Sequence, residues 1–145
     1  MSFFQEFGTA VLLVIATLGL QCAGMAALIL WVRKALAGDI RRLGPFGSAV
    51  LIVRLTVAII VLHGLLILFW ASCYRWLCFP SWESAFYFSA CSYSTVGYGD
   101  VVLPAHLRML GPLESIIGVL MCGISVSVLF ATVTRLVSRE ARSLH

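Results

Sequence analysis

Three apolar runs dominate this chain, at about residues 10–32, 49–71 and 113–137. Each is long enough to cross roughly 30 Å of hydrocarbon at 1.5 Å per residue. Strongly polar interruptions are few: Gln21 in the first run, Arg54 and His63 in the second, and Glu114 and Arg135 near the two ends of the third. The remainder holds too little polar surface for a water-soluble fold. Of 145 residues, 61% are hydrophobic and only 11% charged, against about 25% charged in a soluble domain. The expected fold class is therefore an all-α membrane protein with three transmembrane helices, seated in a lipid bilayer. It divides into residues 1–47, holding the first span and a basic segment, and residues 48–145, holding the other two spans and the chain between them. The tail after Thr134, RLVSREARSLH, is too short for a soluble sensor or catalytic domain.

Charge placement orients the spans. No Lys or Arg precedes the first. Arg33, Lys34, Arg41 and Arg42 lie between the first and second, and Arg135, Arg139 and Arg142 end the third. Basic flanks favour the cytoplasm, so the N-terminus is expected outside and the C-terminus inside, in the plasma membrane. The net charge of +4 sits beside apolar spans, which speaks against a nucleic-acid partner. In RKALAGDIRRLGPFG, Leu36, Ile40 and Leu43 form a stripe at helical spacing. This segment reads either as a short interfacial helix ended by Gly44-Pro45 or as a basic loop. Five cysteines include no CxxC pair, so no metal or redox cofactor is expected. Only Cys73 and Cys78 are close enough to suggest a disulfide.

Between the second and third spans the chain turns polar and glycine-rich, at S94-TVGYG-D100. Upstream, Pro80 breaks the chain and Ser81 is a good N-cap. WESAFYFSACSYS then reads as a helix of about three turns, with Glu83 near its positive end. Such a helix is too short to span. It fits a segment that enters from the outer face, stops in mid-membrane and returns through the glycine-rich stretch. Non-helical backbone at membrane depth must be buried in protein or line a water-filled path.

Thr95, Val96, Gly97, Tyr98, Gly99 and Asp100 match TVGYGD, the filter signature of potassium channels, and the chain resembles that superfamily over roughly residues 48–135. It looks like a minimal prokaryotic potassium channel with one extra N-terminal span. The resemblance implies a selectivity filter at Thr95–Gly99, with K+ bound by oxygens at Thr95, Val96, Gly97 and Tyr98. Ser94 and Asp100 would support that filter, and a homotetramer would close the ring. It implies no enzyme activity and K+ as the permeating ion only. The residues agree. Successive carbonyls share one side only if backbone twist alternates, and Gly97 and Gly99 supply positive φ readily. Val96 and Tyr98 are expected to point back into protein, with Tyr98 bracing the loop on the pore helix. Three positions depart from the family's pattern: Ser94 replaces the threonine common before the filter threonine and keeps a hydroxyl, and Tyr87 and Phe88 stand where many relatives carry tryptophans. Phe88 offers Asp100 no donor.

Other candidates lie on the third span. Gly123 is similar to the family's hinge glycine, and Gly118 is a second hinge candidate; both equally suit close packing. Ser127, Ala131 and Arg135, at steps of four, suit either a water-filled cavity or a helix interface. Arg54 is expected to reach the headgroups, and Glu114 to face the short helix. Gln21 and His63 come out at similar depth and are expected to hydrogen-bond. The rival readings are a non-selective cation channel and a pore-forming or accessory subunit of a heteromeric potassium uptake system. No stimulus or regulatory partner is written in the sequence.

Overall fold

The computed structural model describes residues 3–37 and 45–143. These form four α-helices: α1 (Phe3–Ala37), α2 (Pro45–Leu77), α3 (Trp82–Tyr93) and α4 (Leu110–Ser143). The portions of α1, α2 and α4 long and apolar enough to cross a membrane are 7–34, 46–77 and 110–138. Each helix overshoots its apolar run, because backbone in lipid keeps its hydrogen bonds internal until water or a breaker intervenes. Pro45 opens α2, where its fixed φ and missing N–H suit the first helical position. Leu36 falls in the last turn of α1. Ile40 and Leu43, the rest of the interfacial stripe, lie outside the described residues.

Two buried clusters set the helix directions. Ala10 of α1 packs with Leu66, Trp70 and Tyr74 of α2 and with Leu110, Ile117 and Met121 of α4. Val32, at the far end of α1, packs with Leu51, Leu55 and Leu136. So α1 and α4 run in the same direction and α2 runs against them. At mid-length, a side chain on Gly24 would strike that of Leu62, so the small residue lets α1 close on α2.

The short helix α3 wedges between α2 and α4. Its N-cap forms as expected: the Ser81 side chain accepts from Ser84 N at 3.1 Å. Tyr74 meets the ring of Phe88 edge-on at 5.0 Å, and Phe79 lies 5.5 Å from Phe88. Glu114 is fully buried. It accepts from Tyr74 Oη at 2.8 Å and from Ser89 Oγ at 2.6 Å. One carboxyl group thus ties α4 to α2 and α3, and the expectation that it faces the short helix holds.

Candidate functional site

The site begins where α3 ends. Thr95 N donates to Ser92 O at 3.0 Å, and Val96 N to Cys91 O at 3.0 Å. These are the paired bonds of a Schellman C-terminus, whose left-handed residue is usually glycine. Here it is Thr95, at φ +61°. A β-branched residue in that region costs about 1–2 kcal/mol. Gly97 and Gly99 follow at φ +54° and +79°. Val96 and Tyr98 are not in this region. Backbone twist therefore alternates residue by residue from 95 to 99, as expected for Gly97 and Gly99 and unforeseen at Thr95.

Within a single chain, the exposure of the side chains between these residues departs from expectation. Thr95 and Gly97 line a cavity of about 540 Å³ between the loop, Phe88 and Ser92 of α3, and Gly111 and Ser115 of α4. The intervening Val96 and Tyr98 are 50% and 73% exposed. Val96 is thus half covered, whereas Tyr98 stands largely clear of its own chain and does not brace the loop on α3 there.

Asp100 closes the loop. Its Oδ2 accepts from Tyr87 Oη at 2.8 Å, and its Oδ1 from Val101 N at 3.1 Å. Sequence reasoning sought the donor at Phe88 and found none; it lies one residue earlier. Phe88 is instead taken up by the aromatic cluster with Tyr74 and Phe79. The bond to Asp100 pushes the Tyr87 hydroxyl up to about 12.

A family model described as an ion channel matches residues 59–135, running from the middle of α2 through α3 and the loop into α4. The chain belongs to this ion-channel family. No curated protein and no solved structure matches it. The channel is accordingly a multi-pass membrane protein, and α1 lies outside the matched region.

The channel's α4 grips the base of the loop. Ser115 Oγ donates to Ser92 O at 2.6 Å. A Cβ on Gly118 would collide with the Tyr93 carbonyl. Gly118 is therefore a close-approach position, whereas a Cβ on Gly123 meets nothing within 4 Å. The helix continues unbroken through both.

Ser127, Ala131 and Arg135 are all exposed on α4, and the stripe drifts toward α1 along its length. A step of four residues advances about 40° beyond a full turn. Ser127 stays exposed beside Gly123, Val126 and Phe130. Ala131 and Arg135 rotate toward α1, where they line a crevice of about 370 Å³ with Ile29, Val32 and Arg33. Arg54 is exposed and lines another crevice beside Leu28 and Trp31 of α1. Cys73 and Cys78 remain separate thiols.

Gln21 and His63 do lie at one depth, but they do not bond each other directly. Both reach Ser125 Oγ, Gln21 Nε2 at 3.1 Å and His63 Nε2 at 3.0 Å. The sequence reading missed Ser125. It is one of several hydroxyl side chains in the third run, and nothing in the sequence sets it apart from Ser127.

Proposed function

We propose that this ion channel is potassium-selective and conducts passively through a ring of four copies of the Thr95–Gly99 loop. The observation that carries the reading is the alternating backbone at 95, 97 and 99 in a TVGYGD segment. Carbonyl oxygens placed in advance replace the ion's hydration shell. One strand offers oxygens on one side only, so a closed ring needs further copies around an axis. The negative C-terminal end of α3 lies at the base of the loop and favours a cation there.

The tetramer also gives the outward side chains a place. Val96 and Tyr98 would meet the neighbouring subunit's pore helix. The unpartnered face of α4, with Gly123, Val126, Ser127 and Phe130, would border the conduction path. Gly123 is the better hinge candidate of the two glycines, since Gly118 is occupied in packing. Ser94 and Asp100 hold the ends of the filter. The N-terminus and the loop share one side, outside the plasma membrane, with the C-terminus cytoplasmic.

The test is the reversal potential of purified protein in bilayers between potassium and sodium solutions. A potential near the potassium equilibrium value supports the reading; a value near zero means a non-selective cation pore. Gly97→Ala forces a side chain into a left-handed conformation, costing about 1–2 kcal/mol. It should abolish conduction or selectivity while membrane insertion persists. Thr95→Ala removes a hydroxyl but no carbonyl and should be milder.

A further inference from the structure

The extra span α1 reaches the base of the loop through a buried chain of side chains. Gln21, on α1, is 1% exposed; Ser125, on α4, is 1% exposed; Tyr93, the last residue of α3, is 3% exposed. His63 of α2 joins them, with Nδ1 2.8 Å from Tyr93 Oη and Nε2 3.0 Å from Ser125 Oγ. Gln21 Nε2 donates to Ser125 Oγ at 3.1 Å and reaches Met121 O at 3.4 Å. Ser125 Oγ in turn lies 3.7 Å from Met25 Sδ, back on α1.

One proton arrangement satisfies the hydroxyls and both ring nitrogens together, and leaves the buried Gln21 Oε1 without a partner. Tyr93 Oη–H donates to His63 Nδ1, and His63 Nε2–H donates to Ser125 Oγ. Ser125 then accepts two bonds and spends its own hydrogen on Met25, which is the full capacity of a hydroxyl. The chain visits all four helices. It ends on a residue held twice: the Tyr93 hydroxyl by His63, and the Tyr93 carbonyl by the bare backbone of Gly118. Two residues later comes the strained Thr95.

We infer that Gln21, Ser125 and His63 are positioning residues, through which α1 sets the placement of Tyr93 and hence of the loop that follows it. This rests on the loop being the conduction filter. Polar side chains at bilayer depth exchange partners only with other protein groups, since lipid offers none. A lost link therefore leaves Tyr93 free to shift rather than re-solvated in place. An extra span docked only by apolar contacts could slide by a fraction of a turn at little cost. Hydrogen bonds at defined depth prevent that.

The test is a double-mutant cycle on the full chain in bilayers, read as single-channel open dwell time, with Gln21→Leu, Tyr93→Phe and the two combined. Each single change should shorten the open dwell about threefold, the size of one hydrogen bond in a membrane. The double variant should be no worse than either, because both cut one chain. Effects that multiply to about ninefold, or a Gln21→Leu variant that matches wild type, overturn the inference. His63→Asn keeps an acceptor at the Nδ1 position but loses the reach to Ser125. It therefore cuts the chain at Ser125: its open dwell should be as short as that of Gln21→Leu, and Gln21→Leu should be silent on its background. A merely structural histidine would leave the Gln21→Leu effect unchanged there. Hydrogen exchange at the Thr95, Val96 and Gly97 amides reads the same cycle without current. Wild-type reversal potential is measured separately, so a non-selective pore would end the potassium reading and leave this cycle intact.

Discussion

At the scale of single residues, the loop carries both strain and a brace. Thr95 occupies a left-handed position that glycine fills without steric penalty. Thr95→Gly should therefore raise thermal stability, by about 1 kcal/mol, while removing the hydroxyl at the inner end of the proposed filter. Stability and ion selectivity should move in opposite directions, which thermal unfolding and reversal potentials read separately. Tyr87 is the brace. Its bond to Asp100 favours the protonated hydroxyl and lifts its titration to about 12. A raised tyrosine value means the donor is present through the ordinary range near 10 and is lost only as pH rises through about 12. Tyr87→Phe should shorten channel openings at neutral pH, and wild-type openings should be unchanged by an outer pH of 10. Openings that shorten on that rise in pH would show that the Tyr87 hydroxyl does not hold Asp100.

At the scale of helices, α3 is held by contacts of different kinds along its length. At its middle, Phe88 packs into the aromatic cluster with Tyr74 and Phe79, and the adjacent Ser89 donates to Glu114. Removing the carboxyl leaves the buried Tyr74 hydroxyl without its acceptor, while Ser89 Oγ still has Ile67 O at 3.0 Å. Glu114→Leu should destabilise the fold by about 1–3 kcal/mol, and Glu114→Gln, which keeps an acceptor, by less. Chemical denaturation in detergent would rank them. The inner end of α3 leans on Gly118. Gly118→Ala overpacks that contact and should cost about 1–3 kcal/mol, together with current. Gly123→Ala, with open space around it, should be stable or gain up to about 1 kcal/mol of helix propensity. Any change it makes should appear in gating alone.

At the scale of the whole molecule, one chain leaves much of its apolar surface uncovered. Tyr98 is 73% exposed and Phe130 71%, one on the loop and one on the open face of α4. In a tetramer, subunits rather than lipid would cover such faces near the axis. Cross-linking of purified protein should saturate at four chains, and Tyr98→Ala should weaken that assembly. The direction of insertion has its own test. Ala10 packs at the same end of the bundle as Leu103 and Leu107, just beyond the loop, so the start of α1 and the loop face one side. A cysteine placed at Ser2 should react with a membrane-impermeant label in intact cells. Labelling only after lysis would reverse the topology.

Much of the architecture was legible in sequence because its causes are local. Apolar length alone makes α1, α2 and α4 spans, whatever they touch. Pro80 and Ser81 start α3 by backbone chemistry within one turn, and Gly97 and Gly99 mark positive φ without reference to neighbours. What tertiary structure decided is which faces meet. The spans are apolar nearly all round, and a helix without a polar face does not announce which side is buried. The depth match of Gln21 and His63 followed from counting residues at 1.5 Å each. Their meeting at Ser125 depended on the azimuth of α4, which no count supplies. The same azimuth turned Ala131 and Arg135 toward α1 and left Ser127 on the open face. It also set Gly118, rather than Gly123, against Tyr93. Helix rise is a property of the backbone and can be read along the chain, but rotation about the axis is settled only when neighbouring helices pack.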